Sequence, residues 1–163
     1  MFTLKTFRKN YPANYMLPLC VMLLVGLSAC HSRYPQVMIE TSLGEITAEI
    51  YPDKAPVTAG NFLKLIEREA FDQGATFYRV TRDDNQPNNE FKIDVIQGGL
   101  RGYTETDPIP HETTKETGLS HVDGSLSMAR SEPGTASSEF FICIIMNNSS
   151  LHSIDVLFNI FHN

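Results

Sequence analysis

Glu45-Ile46-Thr47-Ala48-Glu49-Ile50 alternates strictly between polar and apolar side chains. That period of two belongs to a half-buried β-strand, here continuing to Tyr51. Just upstream, Val37 to Glu40 reads as a second strand, and Ser42 to Gly44 supplies the turn that joins the two into a hairpin. Downstream the period changes. Phe62, Leu65, Ile66 and Glu69 fall at helical spacing behind Asp53 and Pro56, so the spacing predicts one amphipathic helix ending near Phe71.

Strands return after Gly74. Thr76 to Arg82 and Phe91 to Gln97 flank a polar loop from Asp83 to Glu90, and Gly124 to Arg130, Phe140 to Ile145 and Ile154 to Phe158 complete the series. Between Leu100 and Val122, Pro108, Pro110 and Gly118 predict irregular structure with at most one short helical turn. Many short strands around a single helix make the chain mainly β, an antiparallel barrel or sandwich with no room for parallel crossovers.

The 163 residues suit one domain of this kind. A net charge of −6, without any run of Lys or Arg, argues against nucleic acid as a partner. The acidity is concentrated after Cys30, because the residues before it carry Lys5, Arg8 and Lys9 and no acid. The same stretch holds an apolar run from Met16 to Ala29, short of the ~20 residues that span a bilayer, and reads as a secretory signal.

Its ending, Leu27-Ser28-Ala29-Cys30, resembles the lipobox of bacterial lipoproteins. That resemblance implies a leader over residues 1–29, lipidation at Cys30, a tether over 30–36 and a domain over 37–163. A signal cut elsewhere nearby, or a short uncleaved anchor, are the alternatives. His31 in place of Asp after the cysteine points, by the same resemblance, to the periplasmic face of the outer membrane of a bacterial cell envelope, with the bilayer as a partner through Cys30. Cys20 would leave with the leader and Cys30 be taken by lipid, so Cys143 stands alone in an apolar run and is read as a small core residue.

Several reactive-looking patterns fail on spacing. His111-Glu112-x-x-Lys115 lacks the second histidine that would put two imidazoles on one helix face, so no metal is expected. His121, Asp123 and Ser125 alternate along one segment and cannot converge as a hydrolase triad. Gly98, Gly99 and Gly102 are followed by neither a Lys-Ser/Thr pair nor a helix start, so no phosphate-bearing cofactor is expected. What survives is a shared face: strand parity groups Phe77, Arg79 and Thr81, and groups Ile93, Val95 and Gln97. A guanidinium beside apolar groups and an amide is a fixed donor in a partly dry place. On pattern alone, an exposed arginine with Gln97 paired to backbone is the commoner outcome.

The order of words along the chain is more specific: Asp53 to Phe62, Phe77-Tyr78-Arg79-Val80, Val95-Ile96-Gln97-Gly98-Gly99, Ser127-Met128-Ala129-Arg130, and Thr135 to Ile142 as Thr-Ala-Ser-Ser-Glu-Phe-Phe-Ile. From Val37 to about Phe158 the chain resembles the cyclophilin family of peptidyl-prolyl cis-trans isomerases. The resemblance implies a cyclophilin-like antiparallel β-barrel acting on proline-containing polypeptides of exported proteins, with no metal or other cofactor. It implies Arg79 as the catalytic donor, Phe141 as the floor of a proline slot, and Val95 as a wall that is usually larger. By the same token Gln97 orients peptide and arginine, Ala129 and Arg130 pair with substrate through backbone, and Leu151 lies at the rim.

The chain also departs from the family pattern. Tyr78 replaces a common His, Asp94 stands where a pocket Phe is usual, Ser150 where some members have Trp, and Asp155 where a rim His is common. These changes imply weak or altered activity and poor binding of the family's cyclic-peptide inhibitor. A binding or chaperone-like module of the same fold is the rival reading, and a defective product without a stable fold a distant third. Family members also continue past the strand near Phe158 into a strand and helix that close the barrel. An incompletely closed barrel is therefore expected, either in a truncated or frameshifted chain, the favoured account, or with another segment covering the gap.

Overall fold

The computed structural model describes residues 1–6, 34–88, 92–102, 105–145 and 156–161. Its strands are β1 (Thr3–Thr6), β2 (Gln36–Thr41), β3 (Gly44–Ile50), β4 (Thr76–Thr81), β5 (Asp94–Gly99), β6 (Ser125–Met128), β7 (Glu139–Ile145) and β8 (Val156–Phe161). The helices are α1 (Pro56–Glu67) and the single turn α2 (Thr114–Thr117). Neighbouring strands run antiparallel in the order β1-β2-β3-β8-β6-β7-β5-β4. The fold class read from the sequence is the one observed: mainly β, one clear helix, and, among the described residues, a barrel without a complete closing ladder.

The β2–β3 hairpin forms as the alternation predicts, Ile39 opposite Ile46 and Val37 opposite Ala48. Val37, Ile39, Ala48 and Ile50 are all fully buried. Helix α1 starts at Pro56, where the missing N–H costs nothing. The Glu112 carboxylate caps it, accepting from Val57 N at 3.1 Å, Thr58 N at 2.7 Å and Thr58 Oγ1 at 2.6 Å. The acid of the failed zinc pattern is thus a helix cap placed far away in sequence. Phe62, Leu65 and Ile66 face the barrel. The helix stops short of Phe71 because Glu69 turns into the left-handed region at φ 54°, and Ala70–Gln73 continues as a 3₁₀ turn. Phe71 still reaches the core beside Phe62.

Phe140 of β7 is the hub of that core. Fully buried, it meets Phe2, Phe62, Phe71 and Phe77 at ring-centroid distances of 5.6 to 6.0 Å. Edge-to-face contacts of this kind add to the area each ring buries.

The strand that the sequence reading did not anticipate is β1. Thr3 to Thr6 pairs with Val37 to Glu40, Phe2 and Leu4 are 3% and 4% exposed, and Phe2 N donates to Ala75 O at 3.1 Å, just ahead of β4. The segment therefore lies across the gap between the two ends of the sheet. Residues read as part of a leader are, in this uncut chain, part of the core. Cys30, Ser150, Leu151 and Asp155 lie outside the described residues.

Glycine is required at the end of β5. Gly99 has φ +129°, and a Cβ there would sit 2.6 Å from Ser138 O and 2.8 Å from Glu139 Cα of the adjoining strand. Gly99→Ala is expected to cost about 2–3 kcal/mol through strain and displaced β7 backbone, read as a lowered urea midpoint.

Candidate functional site

The site is built on the face of β4, β5, β6 and β7 opposite the barrel core. Alternation along β7 sends Phe140 and Ile142 into the main core, and Phe141 and Cys143 into a second, smaller cluster with Val95. Ile93 and Ala129 pack against that cluster. Register aligns the group: Gln97 lies opposite Phe141 and opposite Arg79, and Val95 opposite Cys143.

Strand parity does not hold through β4. The pairing steps from Phe77–Gly98 to Arg79–Gln97, leaving Tyr78 as the extra residue of a bulge. Phe77 accordingly turns into the main core against Phe2 and Phe140, while Arg79 and Thr81 line the cleft. The expected grouping of Phe77 with Arg79 is corrected on this ground. The grouping of Ile93, Val95 and Gln97 stands.

A cleft of about 520 Å³ results, lined by Arg79, Thr81, Ile93, Val95, Gln97, Ala129, Arg130 and Phe141 from the strands, with Ser131, Thr135, Ser137 and Glu139 from the turn before β7 and its first residue. Of the residues singled out in the sequence, Arg79, Gln97, Phe141, Val95, Ala129 and Arg130 come together here. Phe141 and Val95 are 7% and 3% exposed, an apolar floor and wall. Asp94 is not a wall of this cleft. Alternation turns it away, and its carboxylate accepts from Asp83 N at 3.0 Å, so Ile93 and Val95 form the apolar side in its place.

Arg79 Nη1 donates to Gln97 Oε1 at 3.3 Å. The same amide donates through Nε2 to Tyr78 Oη at 2.6 Å and to Glu139 Oε2 at 3.2 Å. A donor on one side, Arg79, and acceptors on the other, Tyr78 and Glu139, fix which way the Gln97 amide points. The Tyr78 hydroxyl is held protonated, its pKa raised first by burial and then by its hydrogen bond to Glu139. Glu139 was not singled out in the sequence, where it reads as one acid beginning an apolar strand. Only the β5–β7 pairing brings it to Gln97.

The turn beside the cleft is held locally. Thr135 Oγ1 accepts from Ser131 N and Glu132 N and donates to Glu132 O, while Asn61 Nδ2 donates to Ser137 O at 2.6 Å and ties the turn to α1. Ala129 N is already committed to Glu139 O at 2.8 Å. Behind the floor, the His121 ring stacks on Phe141 at 5.8 Å and 17°, with Nε2 3.2 Å from Ser127 Oγ. His121 and Ser125 do not form a triad: Ser125 Oγ accepts from Val122 N and donates to Ser120 O.

Cys143 is inert by environment. Burial, with a smaller contribution from Asp123, raises its pKa from 9.0 to about 12, leaving about 10³-fold less thiolate at pH 8 than an ordinary thiol carries. With Cys20→Ser and Cys30→Ser in place, alkylation at pH 8 is expected to be slower by at least that factor, and to reach the ordinary rate in urea.

The family model for cyclophilin type peptidyl-prolyl cis-trans isomerase/CLD matches residues 36–159. The chain belongs to the cyclophilin family. Among its relatives, this cyclophilin is 33% identical over 136 residues to a peptidyl-prolyl cis-trans isomerase of Acinetobacter baylyi, covering 82% of this chain and 68% of that one. It is 33% identical over 115 residues to peptidyl-prolyl cis-trans isomerase B of Escherichia coli, covering 69% and 64%. The chain spans about two thirds of the length of these relatives. In fold it is similar to a Cryptosporidium parvum cyclophilin type peptidyl-prolyl cis-trans isomerase (TM-score 0.56, 20% identity, 77% of this chain and 76% of that one). A second structure of that protein, in the presence of the dipeptide Ala-Pro, gives a TM-score of 0.51 at 22% identity, covering 78% and 79%.

Proposed function

We propose that this chain is a peptidyl-prolyl cis-trans isomerase acting on X-Pro bonds of exported proteins. The observation that carries the proposal is the placement of the Arg79 guanidinium, braced by Gln97, on the same face as the apolar Phe141 and Val95. Rotation about the imide bond is opposed by ~18–20 kcal/mol because amide resonance is lost on twisting. The twisted state has a pyramidal nitrogen with a recovered lone pair. A donor aimed at that nitrogen stabilises the twisted state more than the planar one, and this differential lowers the barrier.

In this reading Phe141 and Val95 take the proline ring, Arg79 supplies the donor, and Gln97 holds the guanidinium while its own orientation is held by Tyr78 and Glu139. Ala129 and Arg130 flank the substrate backbone. No bond is broken, so the reaction asks for neither a nucleophile nor a redox group. The aliphatic wall of Ile93 and Val95 buries less of a proline ring than an aromatic wall would, which supports modest affinity for substrate and for the cyclic-peptide inhibitor.

The bacterial envelope is the proposed place of work, with Cys30 as a lipidated anchor on the periplasmic face of the outer membrane. Leu27-Ser28-Ala29-Cys30 supports it, and buried acyl chains contribute ~0.8 kcal/mol per CH₂ to membrane binding. Incorporation of labelled fatty acid, abolished by Cys30→Ser, tests the anchor. For the activity, the full chain is mixed with a tetrapeptide containing Ala-Pro and the cis-to-trans rate is followed. Acceleration over the ~10–100 s uncatalysed relaxation supports an enzyme. Saturable binding without acceleration identifies the non-catalytic binding module of the same fold.

A further inference from the structure

Among the described residues, what keeps β1 in place is local to the strand itself. Its backbone pairs with Val37 to Glu40, and Phe2 N reaches across to Ala75 O. Phe2 and Leu4 are buried, and the Phe2 ring lies 4.7 Å from Phe77 and 5.8 Å from Phe140. Lys5 Nζ donates to Glu40 at 3.2 and 3.1 Å. A backbone ladder, two alternate side chains in apolar recesses and one matched charge are the elements by which a separate extended peptide binds a sheet edge.

We propose that the gap between β2 and the start of β4 is a strand-receiving site whose occupant is the Phe2–Thr6 segment of this chain, and that a cut ahead of Cys30 turns this segment into a dissociable ligand. The site stands on the geometry of β1. Only the cut rests on the envelope reading above.

Tethered, the segment rebinds as part of the same chain, so its occupancy does not depend on protein concentration. Cut, it has only its own short ladder and two apolar side chains. Once it leaves, β2 becomes an edge with unpaired backbone groups, and the recesses that held Phe2 and Leu4 open to water. The open site selects an extended segment with apolar residues at its first and third positions and a cation at the fourth, facing Glu40. Closure of the barrel and processing of the leader are thereby coupled.

The test uses the full chain with a protease recognition sequence replacing residues 10–17, outside the described structure. The folded protein is cut, the amino-terminal fragment is removed by gel filtration, and thermal unfolding is recorded before and after. The expected result is a fall in midpoint of more than about 10 °C on removal, reversed saturably by a synthetic peptide of residues 1–8. The same peptide carrying Phe2→Asp and Leu4→Asp does not reverse it. In the uncut chain, the Phe2→Asp/Leu4→Asp variant falls by a similar amount. An unchanged midpoint on removal of the fragment overturns the proposal, as does failure of the unmodified peptide to restore it or equal restoration by both peptides. None of these readouts is turnover, so failure here is distinct from failure of the proposed isomerase activity.

Discussion

Arg79→Ala is expected to lower kcat/KM for an Ala-Pro test peptide by about 10²–10³-fold, the range found when one preorganised transition-state donor is removed. The loss belongs in kcat more than in KM, because the planar ground state offers the guanidinium no nitrogen lone pair to meet. Arg79→Lys is expected to recover little of it. Ammonium is a compact point charge, whereas the guanidinium can keep one arm on Gln97 Oε1 and still offer donors to the cleft that Arg79 lines. Arg79 is exposed and hydrogen-bonds Gln97 at the cleft surface, so the thermal midpoint should move by less than about 2 °C. Two-dimensional NMR exchange on the peptide reads the rate without a coupling protease. A loss smaller than threefold would remove Arg79 from the mechanism.

Gln97 and Arg79 were legible in the sequence because strand parity and the order of words both placed them, and the structure puts them 3.3 Å apart. The hairpin was legible for a simpler reason: Ile46, Ala48 and Ile50 carry an alternation that only a strand accommodates. Tyr78 marks where parity ends. A bulge adds one residue to β4 without leaving a mark in the pattern, and with it Phe77 passes to the other face of the sheet. Asp94 was read as the loss of an aromatic wall; what the sequence did not show is where its side chain goes, which alternation within β5 turns to the Asp83 amide.

Glu139 and β1 were invisible for different physical reasons. Glu139 acts on Gln97 through a pairing between β5 and β7, and no window along the chain contains both. Strand β1 has the right alternation in Phe2 and Leu4, but four residues give too few periods to stand out, and the neighbouring apolar run dominates any local reading. Its burial is decided by the far side of the barrel, through Phe77 and Phe140.

Phe140 and Phe141 are adjacent on β7 and face opposite ways, so substituting each in turn separates folding from function. Phe140→Ala removes the ring on which Phe2, Phe62, Phe71 and Phe77 converge. It is expected to cost about 3–5 kcal/mol, the lost transfer energy plus the cavity left among four rings that cannot all collapse into it. For a domain of this size that is a fall in thermal midpoint of at least about 10 °C, with any remaining folded protein near full activity. Phe141→Ala opens the smaller cluster instead, where the ring is backed by His121 and flanked by Val95, and relaxation into the cleft limits the cost to stability. Its main effect is expected in KM, raised by about 10-fold or more as the proline ring loses its floor. If both variants shifted the midpoint equally and left KM alone, the two faces of β7 would not be divided between core and site, and the cleft would lose its claim to the proline ring.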